Sequence, residues 1–172
     1  MRPLRIAVAV AVTAIALVPG IAAGRVPCTI TGTSGPDRIW GTTGSDVICG
    51  KGGHDFILAR GGSDVIRGGP GVDELYGRPG FDRVMGGKGG DRLWGGDGDD
   101  LVIGGVGRDV VVGQSGIDRV FGGPGADICV SAIDGRPGDV VNGGPGRDTG
   151  SGDVGDSVVS IEDRVAQLCY GG

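Results

Sequence analysis

An aliphatic side chain returns at every ninth residue through the middle of the chain: Ile39, Ile48, Ile57, Ile66, Leu75, Val84, Leu93, Val102, Val111 and Val120, with Cys129 next in the series. Two residues ahead of each stands an aspartate, from Asp37 to Asp127. A period of nine fits neither an amphipathic helix nor one long alternating strand, and it divides naturally into a turn and a short strand. Eleven blocks run without a gap from Gly32–Trp40 to Gly122–Val130, with Gly always in the fourth place and Asp always in the sixth. The first place is Gly except at Ala59. Glycine in the first and fourth places allows positive φ and a sharp bend. The last three places are long enough for a strand whose middle side chain points inward.

Alternate blocks then stack on opposite sides of a coil, so residues 18 apart become neighbours. One inward column reads Ile39, Ile57, Leu75, Leu93, Val111 and Cys129; the other reads Ile48, Ile66, Val84, Val102 and Val120. Those columns are the whole expected core. Composition agrees, since only two Trp, two Tyr and three Phe are available for a conventional one. The 41 Gly and 9 Pro among 172 residues would otherwise indicate disorder or collagen. Collagen is excluded because stretches such as Asp97–Val102 break any glycine triplet.

The blocks resemble the calcium-binding nonapeptide repeats of the repeats-in-toxin (RTX) type, G-G-x-G-x-D-x-U-x with U a large aliphatic residue. The cleanest copies are Gly86-Gly-Lys-Gly-Gly-Asp-Arg-Leu-Trp94 and Gly95-Gly-Asp-Gly-Asp-Asp-Leu-Val-Ile103. The resemblance implies an all-β parallel β-roll, two nonapeptides per 18-residue turn, with calcium ions held between successive turns. Its metal ligands would be Asp37, Asp46, Asp55, Asp64, Asp73, Asp82, Asp91, Asp100, Asp109, Asp118 and Asp127, with Asp148 in a later block. Calcium is a hard cation that collects carboxylate and carbonyl oxygens, and a glycine-rich turn can supply the carbonyls. Pairs of Asp 18 apart allow up to nine ions, although that many would overcompensate the acidic charge. The strongest sites are expected between Lys88 and Asp109, where Asp97, Asp99 and Asp100 gather, and weaker ones near Pro36 and Arg108. Stacked carboxylates without metal would repel, so the metal-free chain is expected to be largely unfolded. A plainer alternative makes each Asp only a turn former, bonded through its side chain to backbone.

The start of the chain falls outside the repeat. Arg2 and Arg5, the apolar run Ile6–Val18 and the small residues after Pro19 read as a secretory signal peptide over residues 1–24. The apolar run is too short to span a bilayer. Residues 25–31 then form an N-terminal cap, 32–130 the repeats, and 131–172 degenerate repeats with a C-terminal cap. Without the leader, acidic residues exceed basic ones by seven, which argues against a nucleic-acid partner.

Beyond Val130 the register slips: Ser131–Asn142 is a block with three extra residues, Gly150 stands in an aliphatic place, and Ser157 is read in an Asp place. Val158–Ile161 is expected to be a terminal strand, with 162–170 closing the roll. Four cysteines in an exported chain suggest two disulfides with three possible connectivities; Cys28 with Cys49 and Cys129 with Cys169 would staple both ends. The lone His54 is expected to be a turn residue, with Ser45 and Ser63 as possible neighbours, and no catalytic role.

The ninth places of the odd blocks, Trp40, Leu58, Tyr76, Trp94, Val112 and Val130, form an outward column. It either presents scattered apolar residues or packs against the terminal segments, or it is a face for self-association or glycan binding. The expected protein is a secreted calcium-binding β-roll that folds on binding calcium and has no enzymatic activity. The alternative is a calcium-stabilised cell-surface structural or adhesive module that binds cell wall, glycan or itself through the aromatic face.

Overall fold

The computed structural model describes residues 26–132, 134–152, 155–161 and 163–164. The proposed leader, the Cys129–Cys169 pairing and most of the expected C-terminal closure lie outside them. The described residues form a parallel β-solenoid of about seven turns, with no helix among them.

Two eight-stranded sheets face each other. One holds β1 (Ile30–Thr31), β3 (Val47–Cys49), β5 (Val65–Pro70), β7 (Arg83–Lys88), β9 (Leu101–Val106), β11 (Arg119–Phe121), β13 (Val140–Asn142) and β15 (Ser157–Val159). The other holds β2 (Arg38–Trp40), β4 (Phe56–Leu58), β6 (Glu74–Pro79), β8 (Arg92–Asp97), β10 (Val110–Ser115), β12 (Ile128–Ala132), β14 (Thr149–Gly152) and β16 (Asp163–Arg164). Each strand pairs with the strand two earlier and two later. Through the repeats the register is 18 residues, as in Ile39 with Ile57 and Ile48 with Ile66.

The two aliphatic columns meet between the sheets. Ile48, Ile57, Ile66, Leu75, Val84, Leu93, Val102, Val111 and Val120 are wholly buried. The strands from β5 to β10 are six residues long, twice the expected three. They continue past the ninth place because the next block's first residues keep pairing, as Gly69 does with Gly87 and Gly105 in turn with Gly87. The second place takes a left-handed φ while doing so, even where it is not glycine: Lys51, Arg60, Arg78 and Gln114 have φ between 80° and 86°.

The core departs from expectation at the last regular block. A bulge opposite Val110 and Val111 pairs Val111 with Val130, so Val130 enters the inward column in place of Cys129. An extra residue in a strand reverses the side-chain alternation after it. Val130 is therefore buried and leaves the outward column, and Ala132 is buried as well. Gly150 pairs with Val130 and carries no side chain into the core. Ile161 fills that space, since a Cβ on Gly150 would lie 3.1 Å from its Cδ1. Val112, expected on the outer face, is only 5% exposed.

Truncating a wholly buried rung should be costly because its neighbours are fixed by backbone pairing above and below. Leu93→Ala is expected to lower stability by about 2–5 kcal/mol. Denaturant unfolding in millimolar calcium checks this, with exposed Phe81→Ala, at 63% exposure, as a near-neutral control.

Candidate metal centre

The sixth-place aspartates form two ladders, one along each edge of the roll. Asp37, Asp55, Asp73, Asp91, Asp109, Asp127 and Asp148 follow one edge; Asp46, Asp64, Asp82, Asp100, Asp118 and Asp139 follow the other. Asp37 and Asp46 are 4% and 8% exposed, and the rest are 2% or less. Position explains the burial: each carboxylate leaves the chain one residue before its strand, and from Asp55 onward it turns in against the preceding coil.

The two oxygens of each carboxylate have different partners. From Asp55 onward, Oδ1 accepts a hydrogen bond from the backbone N–H of the Asp one turn earlier, as Asp109 Oδ1 does from Asp91 at 2.8 Å and Asp127 Oδ1 from Asp109 at 2.9 Å. These bonds run between coils and not within a turn, so they differ from the turn-forming alternative. The other oxygen, Oδ2, has no hydrogen-bond partner at Asp55, Asp64, Asp73, Asp82, Asp91, Asp100, Asp109, Asp118 and Asp127. Buried polar atoms are rarely left this way, and an ionised one is especially costly.

The surroundings of those oxygens suit a hard cation. A Cβ on Gly104 would lie 2.6 Å from the Gly122 carbonyl oxygen and 2.7 Å from Asp109 Oδ2; on Gly86 it would lie 2.5 Å from both the Gly104 carbonyl oxygen and Asp91 Oδ2. Carboxylate and carbonyl oxygens from successive coils therefore converge on first-place glycines. Such all-oxygen sets are what calcium prefers.

Two members of the ladders were missed by the repeat count. Asp139 heads Asp139-Val140-Val141-Asn142-Gly143-Gly144, and its Oδ1 accepts from the Asp118 N–H at 2.7 Å across a spacing of 21 residues. Asp156, not Ser157, holds the corresponding place one coil on: its Oδ1 accepts from Gly138 at 2.9 Å and Asp139 at 3.1 Å. Ser157 instead pairs with Val140 at the head of β15. The D-x-U-x signal was present in both segments, hidden by the three-residue insertion before Asp139 and by the eight-residue step from Asp148 to Asp156. Thr33 and Thr42 were also passed over; each bonds the carboxylate of its own block.

His54 lies on the other edge from Ser45 and Ser63, so those serines are not its neighbours. Ser63 N–H instead bonds Ser45 Oγ at 3.0 Å. His54 shares a shallow groove with Pro36, Arg38, Phe56, Val72, Glu74 and Arg92. That groove offers no serine, threonine or cysteine nucleophile. At the N-terminal end the expected Cys28–Cys49 disulfide is present, with Cα atoms 6.0 Å apart.

Burial is the main force on the carboxyl groups, and neighbouring carboxylates add to it. Asp55, Asp64 and Asp82 are pushed up from 3.8 to about 6, and Asp91, Asp118 and Asp127 to about 7. Asp100, buried and facing Asp118, Asp82 and Asp99, reaches about 8. Backbone N–H donors oppose these shifts without cancelling them. A carboxyl whose pKa rises on folding supports the fold while protonated. That support is complete below about 4 and is lost as pH rises through 6 to 8. In EDTA the β-signal in circular dichroism should therefore be stronger at pH 5 than at pH 8, while in millimolar calcium it should stay level. Calcium binding near pH 7 should release protons, read as a buffer-dependent enthalpy in calorimetry.

The family model for the RTX calcium-binding nonapeptide repeat matches the chain in four copies, over residues 29–57, 50–84, 76–111 and 103–134. No curated protein matches it. The matched span is more than half of the chain and covers the two carboxylate ladders as far as Asp118 and Asp127. The chain therefore belongs to the RTX calcium-binding nonapeptide repeat family, and calcium is the ion it binds.

Proposed function

We propose that this is a secreted protein, without catalytic activity, whose repeats fold on binding calcium. One observation carries the reading: a regular ladder of buried carboxylate oxygens, each lacking a hydrogen-bond partner, beside converging carbonyls. The nine aspartates with such an oxygen, from Asp55 to Asp127, are the proposed ligands, with Asp139 and Asp148 continuing the two ladders. A site with a dissociation constant of about 0.1 mM contributes about 1.4 kcal/mol when free calcium is about 1 mM. Several such sites together match the net stability of a whole domain, roughly 5–15 kcal/mol. A chain that stays open at low calcium and closes outside the cell fits the basic, apolar leader and the Cys28–Cys49 disulfide, which needs an oxidising compartment. Adding EDTA should abolish the β-signal and calcium restore it; an unchanged spectrum would sink the proposal. Asp91→Asn with Asp100→Asn should reduce the number of ions bound in calorimetric titration.

A second reading concerns the aromatic face. The rings of Tyr76 and Trp94 are stacked at 4.6 Å and 4° to each other, with Phe56 tilted against Tyr76 at 5.6 Å. Arg78 lies over Tyr76, and the Tyr76 hydroxyl donates to Glu74 Oε1 at 2.6 Å. Rings stacked on one another give up the faces that a sugar would use. Their free edges favour contact with a second roll over glycan docking. Trp40→Ala with Trp94→Ala should then lower self-association in sedimentation while leaving calcium-dependent folding intact. Loss of binding to cell-wall polysaccharide without a change in self-association would favour the glycan instead.

A further inference from the structure

The first two turns are built differently from all the others. Their second place holds Thr33 and Thr42, where later blocks have Gly, Lys, Arg or Gln. From Lys51 to Gly123 every second-place residue has a left-handed φ, but Thr33 and Thr42 do not. Neither do Gly35 and Gly44, although fourth-place glycines from Gly53 to Gly116 all do. A β-branched residue resists that conformation, so the threonines hold the turn in another shape.

That shape closes on the carboxylate. The Thr33 N–H donates to Asp37 Oδ2 at 2.5 Å and its hydroxyl to the same oxygen at 3.0 Å. Thr42 repeats this on Asp46 Oδ2, at 2.7 and 2.9 Å. Each threonine Oγ1 also accepts from the fourth-place N–H, Gly35 at 3.2 Å and Gly44 at 3.1 Å. Asp37 and Asp46 are accordingly the two repeat aspartates absent from the set with a partnerless oxygen.

We propose that Thr33 and Thr42 take the place of calcium in the first coil, so that Asp37 and Asp46 are structural residues and not metal ligands. The proposal rests on the calcium-binding reading of the other aspartates. In this arrangement two donors from the protein satisfy each carboxylate oxygen. The first coil, tied by Cys28–Cys49 across the start of β1 and the end of β3, is then a metal-free end cap. It still offers the next coil its rungs, through the Asp37 N–H to Asp55 Oδ1 at 2.9 Å and the Asp46 N–H to Asp64 Oδ1 at 2.7 Å. Calcium binding begins only with that second coil.

Calcium titration calorimetry, with metal content measured after desalting, tests this on the whole chain. Ion binding by the unaltered chain establishes the reading on which the proposal rests, and its absence would refute that reading by itself. Given binding, Asp37→Asn with Asp46→Asn should leave the ion count and the calcium midpoint for folding unchanged within about twofold, whereas Asp91→Asn with Asp100→Asn lowers the count. Thr33→Gly with Thr42→Gly restores the glycine of the regular blocks, removes the hydroxyl donor from both oxygens, lets the turn take the left-handed φ that carries its N–H away, and should add up to two ions. Equal ion loss in the two Asn pairs, or no gain in the glycine pair, would overturn the proposal.

Discussion

Everything in this roll is arranged around carboxylates that are buried in register, one per strand. Neighbouring coils are separated by the strand spacing of about 4.8 Å, so each ladder stacks like charges at that distance. Backbone N–H groups quiet one oxygen of each, and in the nine aspartates from Asp55 to Asp127 the other oxygen has no hydrogen-bond partner. The cost is electrostatic and is borne along nearly the whole length of both edges. It shows directly in carboxyl groups pushed up to between about 6 and 8. Protons can relieve it in acid, and calcium can relieve it at neutral pH while also binding adjacent coils together.

The hydrophobic core set against that cost is thin. Each coil of 18 residues contributes two aliphatic side chains, and much of its backbone is glycine, whose freedom is the most expensive to lose. The same glycines are nonetheless needed. At Gly71 a Cβ would run into the Gly53 carbonyl group, and at Gly86 into oxygens from two coils. The missing side chains that loosen an unfolded chain leave the spaces in which oxygen atoms converge when it coils.

The ends of a stack need other solutions, as in any repeat array whose terminal units lack a neighbour. At the N-terminus, threonine hydroxyls and a disulfide replace ion-mediated contacts. Towards the C-terminus a bulge shifts Val130 inward, Gly150 opens a space and Ile161 fills it. Asp139 and Asp156 carry the carboxylate ladder across the insertion with their Oδ1 bonds intact. The ladder is thus kept even where the nine-residue spacing fails, because a missing rung would leave backbone N–H groups of the preceding coil without an acceptor.

The two inward columns, the 18-residue register and the alignment of the sixth-place aspartates were legible from spacing alone, because a strict period leaves only one way to stack identical blocks. The Cys28–Cys49 pair was also within reach, as two cysteines flanking the first coil. Spacing could not say that the carboxylates are split between one bonded and one free oxygen, since that depends on where an N–H of another coil points. Nor could it show that strands run through the glycines, or that Tyr76 and Trp94 stack ring on ring. The bulge that exchanges Val130 for Cys129 is likewise a matter of pairing between distant strands. The sequence by itself determined the repeat, its period and the identity of its inward and acidic residues, because those are properties of one block. Only the tertiary structure decided which oxygens are left without partners, because hydrogen-bond satisfaction belongs to the contact between two coils.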